Sequence, residues 1–592
     1  MMGFRRLHRG RKWFGYSLIA LPLVIGVPHG ASAQDDGGNT MVHLIQLMVK
    51  NGQITADQAA PLLREAEQEG HSAKRTRPAA KPSPTMPHAA STTTAASAPA
   101  GTDAGSTPAG TPPSIHVTYV PELVRQQIAS EVKQQVMQEA RDEGWAEPNS
   151  QPEWTQRIKI FGDIRLRGEE DMLPHSNCDC FPNFNSINSS ANGYDDTSST
   201  FPPILDMNEN RTRFRLRARL GVDAQINDWI STEIRIGTGN DNSPISENQT
   251  LGAGGDFEKY SIWLDRAFIR MKPTTWLSLD VGRAPNPFWT TPILFYDDLN
   301  FDGISMHVQH AITSKTTGFL TVGAFPVFNT SFNFGSTSTS DKENSSHDSY
   351  LVAIQGGGEW KINDDYTAKM ALGYFDFLNV QGSQSAPCLS PVGYGSCSTD
   401  DETPGWVQFG NTLFPLRNIT PNPPAGSTVT PNPQFFGLAS RFDVLDVHGA
   451  FSVLNFHPID IVFGADFVKN LGFDAAAIAS RNPQNNIGAN GLWSGGDNGY
   501  LVQITFGHQQ LEKMWDWNFT IGYRYLESDA VLDALTDSDF YPGGTNAKMY
   551  TLAGNVALDR NLWFDGKFYS ATQISGPPFT ANTLLVDINA KF

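Results

Sequence analysis

The sequence predicts an all-β transmembrane barrel of about 16 antiparallel strands, preceded by a short helical periplasmic segment and a linker. Three observations predict this fold class. Polarity alternates with a period of two residues, predicted connections are alternately long and short, and aromatic residues gather beside the short ones. Only 39% of the 592 residues are hydrophobic. Because lipid-facing and lumen-facing residues alternate along a barrel strand, so low an average is compatible with membrane strands.

The clearest alternation lies between residues 211 and 220. Apolar residues occupy one face of this predicted strand and arginines occupy the other, namely Arg211, Arg213, Arg215, Arg217 and Arg219. The apolar face of a strand in a soluble sandwich would need a protein core. A strand with lipid on one side and water on the other accounts for both faces.

The same period predicts strands at 157–169, 210–226, 229–238, 260–272, 275–283, 302–310, 316–328, 349–362, 365–378, 440–456, 459–470, 499–509, 514–528, 547–559, 561–573 and 583–592. Long connections follow the odd-numbered strands and short turns follow the even-numbered ones, and the longest connection runs from Asn379 to Ser440. Outer-membrane barrels have this asymmetry. The aromatic residues beside the short turns predict an interfacial girdle at that rim.

Residues 1–33 have the order of a secretory signal peptide: five basic residues, an apolar stretch, and Ala31-Ser32-Ala33. An uncleaved anchor helix is the alternative, although Pro22 and Pro28 interrupt the apolar stretch. Cleavage would change the net charge from −18 to −23, because the removed segment has five positive side chains and no negative one. So acidic a protein is a poor partner for nucleic acid.

Three segments of different composition precede the barrel, which is predicted at 154–592. Residues 34–70 predict a small helical periplasmic segment. Residues 71–114 form a linker of Pro, Ala, Ser and Thr that cannot bury a core. Residues 115–146 repeat apolar residues at helical spacing, which predicts either a short self-associating coiled coil or a helix that packs on the next domain or lies free.

The four cysteines, Cys178, Cys180, Cys388 and Cys397, all lie in loop sequence. An oxidising compartment allows disulfides, of which Cys388–Cys397 is the favoured pair and Cys178–Cys180 the more strained one. The alternative is a metal site, but a Cys-x-Cys sequence without histidine or a matching second pair is a weak zinc pattern. We therefore expect disulfides, no metal and no cofactor.

Several short motifs resemble the putative-porin family of Gram-negative bacteria. They include Gly162-Asp163-Ile164-Arg165-Leu166-Arg167, Val281-Gly282-Arg283, Asn286-Pro287-Phe288, Asp297-Asp298-Leu299-Asn300-Phe301-Asp302-Gly303 and the segment Leu47–Gln58. This resemblance implies a channel in the outer membrane, surrounded by lipid and lipopolysaccharide, usually a homotrimer, with its N-terminal segment in the periplasm. Phe592, after alternating apolar residues, resembles the signal read by the barrel-assembly machinery. The long Asn379–Ser440 loop is not expected from the family pattern.

A 16-strand barrel encloses a lumen wide enough for small hydrophilic solutes, so we expect passive diffusion through a porin. The predicted lumen wall carries nine arginines: Arg165, Arg167, Arg211, Arg213, Arg215, Arg217, Arg219, Arg235 and Arg270. One interpretation is that they form a ladder that guides anions, because guanidinium groups bind carboxylates and phosphates. The other is that they balance acidic residues and keep the lumen hydrated.

The third long loop, Arg283 to Asn300, is the predicted constriction. It contains Asp297 and Asp298, and Asp302 follows directly. Acids that face an arginine wall would create a transverse field favouring polar solutes over apolar ones. The alternative is an ordinary outer loop.

Other function classes have weaker support. The histidines His307, His310, His448 and His508 are isolated, without the spacing of a metal site, and no serine is marked as a nucleophile, so we expect no enzyme. The non-catalytic alternative is a structural barrel or a surface adhesin that tethers the outer membrane to the cell wall, with peptidoglycan as its partner.

Overall fold

A computed structural model describes residues 157–190, 193–195, 202–239, 243–329, 348–388, 399–419 and 433–592. The chain divides into two compact units, Met1–Tyr119 and Val120–Phe592, and every described residue belongs to the second. The predicted signal peptide, helical segment, linker and coiled-coil-like helix lie outside the described residues. No helix in the described ranges is long and apolar enough to span a membrane.

Among the described residues, 16 long strands form a closed antiparallel barrel, which confirms the predicted barrel of about 16 antiparallel strands. We number them β1 (Ile158–Met172), β2 (Arg211–Asn227), β3 (Ile230–Gly237), β4 (Trp263–Thr274), β5 (Leu277–Pro285), β6 (Asn300–Ala311), β7 (Thr316–Phe328), β8 (Ser349–Lys361), β9 (Tyr366–Leu378), β10 (Phe442–Val453), β11 (Asp460–Asn470), β12 (Asn498–Gly507), β13 (Trp517–Leu526), β14 (Ala547–Asp559), β15 (Leu562–Gln573) and β16 (Thr580–Lys591). Each strand pairs with its neighbours in sequence, and β1 pairs with both β2 and β16.

Short elements lie between the long strands. Two short helices, α1 (Phe184–Asn188) and α2 (Ala475–Ser480), and the 3-10 turns Asp400–Glu402 and Asp533–Leu535 lie in the long loops. Short strands occur at Tyr194–Asp195, Gln249–Thr250, Leu413–Pro415, Pro433–Gln434 and Phe436–Leu438. Below, L1 is 173–210, L2 is 238–262, L3 is 286–299, L5 is 379–441, L6 is 471–497, L7 is 527–546 and L8 is 574–579, the connections that follow β1, β3, β5, β9, β11, β13 and β15.

The two faces of each strand have opposite exposure. On β16, Leu584, Val586 and Ile588 are 39–46% exposed, whereas Leu585 and Asp587 between them are at most 1% exposed. A soluble protein buries its apolar residues and exposes its charged ones, so this outward apolar face requires lipid. The period-two alternation of the sequence therefore corresponds to lipid-facing and inward-facing positions.

The barrel closes at β1 and β16, and Phe592 extends that seam by one more residue. The Gly162 N–H donates to the Phe592 carbonyl at 3.1 Å, and the Phe592 N–H donates to the Gly162 carbonyl at 3.0 Å. A Cβ at Gly162 would overlap the Phe592 ring and the Arg219 carbonyl oxygen. Glycine at this position thus leaves room for the Phe592 ring beside the seam.

Aromatic side chains mark the rim at the short turns, as the sequence predicts. Trp229, Trp276, Trp360, Phe456 and Trp515 lie beside these turns and are 45–64% exposed. Tryptophan rings are amphipathic and suit the level of the lipid headgroups, and aromatic residues form such girdles in outer-membrane barrels.

At the opposite rim, the long loops fold into the barrel. The largest buried apolar cluster joins Phe295 of L3, Leu413 of L5 and Val531 of L7 to inward-facing residues such as Phe375 and Val444. Since each of these side chains is at most 1% exposed, this end of the barrel has a packed interior. The loops therefore determine how much of the lumen stays open.

Candidate pore constriction

L3 lies inside the barrel and contacts walls far apart in the strand order. Its C-terminal end contacts β1 and β2, and its N-terminal half contacts β8, β10 and β11. In a closed ring of 16 strands, these two sets of strands lie on opposite sides. L3 is shorter than predicted, because Arg283 belongs to β5 and Asn300 belongs to β6.

Asp298 attaches one end of L3 to the arginine wall. Its carboxylate accepts two hydrogen bonds from Arg217, at 3.0 and 3.1 Å, and one from Arg219 at 2.9 Å. The Arg165 guanidinium lies 3.9 Å away. Burial alone would raise the pKa of Asp298, but these three positive charges outweigh it and lower the pKa below its ordinary value.

Trp289 attaches the other end of L3 to the opposite wall. The backbone N–H of Trp289 donates to Gln355 Oε1 at 2.8 Å, and Gln355 Nε2 donates to the backbone carbonyl of Trp289 at 2.9 Å. The indole stacks on the His448 ring with centroids 3.9 Å apart, and Lys369 Nζ lies 4.0 Å from the indole centroid. His448 therefore contacts the interior loop, not lipid.

Thr291 adds a further contact on this side, because its hydroxyl donates to Asp466 Oδ2 on β11 at 2.5 Å. L3 also contacts L7: the Tyr296 hydroxyl donates to Asp539 at 2.9 Å. Asp539 in turn pairs with Arg167 on β1 and Lys567 on β15, at 2.6 and 2.9 Å. L3 thus makes polar contacts with both walls and with L7.

Among the described residues, acids accompany the predicted arginines. Eight of the nine have a carboxylate oxygen within 4 Å: Arg165, Arg167, Arg213, Arg215, Arg217, Arg219, Arg235 and Arg270. The ninth, Arg211, is exposed at the long-loop end of β2. The carboxylates come from both strands and loops: Asp163, Glu169, Asp171, Glu247, Asp265, Asp280, Asp298, Asp539 and Asp587. The positive charge of the wall is therefore compensated.

A family model described as putative porin matches residues 38–592. The chain belongs to the putative-porin family. No curated protein sequence matches it. Family membership and the lipid-facing barrel support an outer-membrane location.

Several solved structures are similar to this porin-family protein, and each alignment covers 74% of its chain. They include the outer membrane channel DcaP of Acinetobacter baumannii (9% identity, 97% of that chain, TM-score 0.35). Pseudomonas putida OprB at high pH aligns with 12% identity, 95% of that chain and a TM-score of 0.38. Salmonella typhi OmpF in complex with daunomycin aligns with 10% identity, 97% of that chain and a TM-score of 0.34.

The other residues of the predicted constriction lie in different surroundings. Asp297 is exposed to solvent inside the porin-family barrel, next to the buried Asp298. Arg283 Nη1 lies 2.8 Å from Asp302 across β5 and β6. Successive side chains of a strand point to opposite faces of the sheet, so this half-exposed pair lies on the face opposite the buried Phe301. It is therefore separate from the contacts of Asp298.

Two of the four cysteines are joined by a Cys178–Cys180 disulfide in L1. Cys388 is also disulfide-bonded, and no free cysteine occurs among the described residues. Cys397 lies outside them, so the Cys388–Cys397 pairing stays a prediction. Within the same ranges, no group of three His, Cys, Asp or Glu residues is arranged to hold a metal ion.

Proposed function

We propose that this protein is an outer-membrane porin through which small hydrophilic solutes diffuse passively, with L3 as the constriction. The observation that carries this proposal is the attachment of L3 to opposite walls, by Asp298 on one side and Trp289 on the other. A loop held across a lumen narrows it and determines which solutes pass. The charged wall and L3 carboxylates favour water and polar solutes over apolar ones.

The arginine contacts favour the interpretation in which the arginines balance acidic residues, over the one in which they guide anions. Arg217 and Arg219 each bind Asp163 and Asp298, so little of their charge is available to a passing anion. We therefore propose a weak ion preference produced by the transverse field between L3 and the wall. A strong anion preference, the other interpretation of the sequence, would appear as a large reversal potential under a salt gradient.

The proposal includes the surroundings that the family resemblance implies. We propose a homotrimer in lipid and lipopolysaccharide, assembled through the barrel-assembly machinery with Phe592 as the signal. The N-terminal segment would extend into the periplasm, where peptidoglycan is its candidate partner. No enzymatic role is proposed.

Reconstitution tests the function directly. We expect the purified protein to produce stable conductance steps in planar bilayers and to make liposomes permeable to small sugars. Three equal steps per insertion would support the trimer. A structural barrel or adhesin would leave the liposomes impermeable, and that result would contradict the porin proposal.

A further inference from the structure

A cavity separate from L3 and from the arginine wall lies among the long loops. It has a volume of about 190 Å³ and is lined by residues of L1, L5, L6 and L8 together with Gln573 at the end of β15. At about 30 Å³ per water molecule, this equals roughly six waters, or one small ring. The cavity is therefore of a size for a small solute at the mouth of the barrel.

The lining of this cavity is uncharged and combines amide side chains with apolar ones. Among the described residues around it, none is Asp, Glu, Lys or Arg, and eight are Asn or Gln. This composition contrasts with the constriction, where charged groups predominate. A charged solute entering here would lose water without meeting an opposite charge, which is costly, whereas a neutral polar solute exchanges hydrogen bonds with the amides.

Four of these amides have one end engaged by protein and the other unpartnered. One is Gln573 of β15, whose Nε2 donates to the Ser575 carbonyl at 2.6 Å while its buried Oε1 has no partner among the described residues. The other three come from three different loops. Asn183 Oδ1 accepts from a backbone N–H of α1 at 3.1 Å. Gln408 Nε2 donates to two backbone carbonyls of L7, at 2.7 and 3.1 Å, and Gln484 Nε2 donates to a backbone carbonyl of L6 at 3.0 Å. Within the described ranges, Asn183 Nδ2, Gln408 Oε1 and Gln484 Oε1 have no protein partner. One donor and three acceptors suit hydroxyl groups, which both donate and accept.

The cavity walls are held in place by contacts between loops. The Val407 N–H donates to Asn185 Oδ1 at 2.8 Å, which joins L5 to L1, and the Leu413 N–H donates to Asn485 Oδ1 at 2.9 Å, which joins L5 to L6. The Phe181 and Phe409 rings pack edge to face at a centroid distance of 5.6 Å. Preorganisation of this kind lowers the cost of ordering loops on binding. The aromatic rings also provide an apolar surface for the C–H face of a ring.

We propose that this cavity binds a neutral polyhydroxy solute with the size of a single sugar ring. The inference builds on the proposed porin function, because it names the class of solute collected at the mouth of the channel. Charged solutes of the same size are excluded by the uncharged lining, whatever the charge of the constriction.

Saturation-transfer difference NMR on the purified full chain in detergent micelles tests the binding. The probes are glucose, glucosamine and glucuronate, which share a ring size and differ in charge. We expect saturable binding of glucose, and binding of the two charged sugars that is at least fivefold weaker. Absence of glucose binding, or equal binding of all three sugars, would overturn the inference.

Two variants locate the site. Asn183→Asp keeps an oxygen that caps α1 and replaces the unpartnered amide donor with a carboxylate. We expect glucose to bind about fivefold more weakly and the positively charged glucosamine to bind more tightly than in the wild type. Gln484→Leu should weaken glucose binding by a similar factor, because a hydroxyl loses its acceptor.

Gln249→Leu is the matched control, since Gln249 is a half-buried L2 amide outside the cavity whose Nε2 also donates to a backbone carbonyl, at 3.1 Å. It should leave glucose binding unchanged. If Asn183→Asp binds the three sugars in the same order of affinity as the wild type, the proposed site is wrong. A protein that conducts salt but does not bind glucose contradicts this inference alone, whereas one that binds glucose but does not conduct contradicts the porin function alone.

Discussion

Asp298 of L3 accepts hydrogen bonds from the Arg217 guanidinium through both of its carboxylate oxygens, at 3.1 and 3.0 Å. Both residues are 9% exposed, so this pair is shielded from bulk water and is weakly screened by salt. It connects a loop to the barrel wall across the interior. The pair thereby converts the arginines of β2 from a free positive surface into an attachment for the constriction.

The Asp298→Asn variant tests this attachment. An amide leaves Arg165, Arg217 and Arg219 without a shared negative charge, and breaking a buried ion pair costs on the order of 3 kcal/mol. We expect L3 to leave the wall, so that single-channel conductance rises and the reversal potential in a KCl gradient shifts towards chloride selectivity. Asp297→Asn is the neighbouring control and should leave the conductance close to that of the wild type. If both variants conduct like the wild type, Asp298 does not hold the constriction.

The Trp289→Ala variant tests the opposite attachment. It removes the stacking on His448 and the contact with Lys369, worth about 0.5–1.5 kcal/mol and about 0.5–1 kcal/mol respectively. We expect more frequent brief closures in single-channel records, because this end of L3 would then be held only by the backbone hydrogen bonds to Gln355 and by the Thr291–Asp466 contact. Trp276→Ala, at the exposed rim of the short turns, should not change the record. An equal frequency of brief closures in Trp289→Ala and Trp276→Ala would contradict a role for Trp289 in holding L3.

The strands could be predicted because their information is local. Between residues 211 and 220 the alternation of arginine and apolar side chains indicates which face meets lipid, and β2 spans Arg211–Asn227, within one residue of the predicted 210–226. The ends were less predictable: β1 continues to Met172, past its predicted end at 169, and β13 is shorter than predicted at both ends. Strand ends depend on loop packing, which leaves no periodic pattern.

The site could be predicted only in part, because several of its contacts join residues that are far apart in the sequence. Opposite charges in L3 and on β2 suggested that Asp298 would face the arginines. Nothing local marked Gln355 or His448 as the far attachment of Trp289, because their roles exist only once β8 and β10 lie across the barrel from β1. The inward packing of L5 and L7 was likewise absent from the prediction, since irregular loops have no period to interpret.

The packing of L7 should depend on pH through Asp533. Burial raises the pKa of this carboxyl from 3.8 to about 7, and burial raises that of Asp529 to about 6. Between about pH 4 and 7 the folded loop holds protons that the unfolded chain has released, so its stability is greatest at the acidic end and decreases as the pH rises through 7. We expect amide hydrogen exchange in 399–419 and 527–546, corrected for intrinsic rates, to be faster at pH 8 than at pH 5.

Asp533→Asn imitates the protonated side chain and should reduce this difference between the two pH values. Asp474→Asn, which alters an exposed carboxyl in L6, should leave it as in the wild type. A pH difference of the same size in the wild type and in Asp533→Asn would assign the effect to other groups.

The seam at Gly162 can be tested by comparing two glycines of β1. A Cβ at Gly162 would lie 2.6 Å from both the Phe592 ring and the Arg219 carbonyl oxygen, whereas a Cβ at Gly168 would lie no closer than 3.8 Å to its nearest neighbour. Gly162→Ala should therefore destabilise the barrel by about 1–3 kcal/mol, because the ring or the strand must move. Gly168→Ala should be neutral or stabilising by up to about 1 kcal/mol, since alanine loses less backbone entropy on folding. Urea unfolding in lipid vesicles, followed by tryptophan fluorescence, measures both, and equal midpoints would show that the ring of Phe592 does not require glycine at the seam.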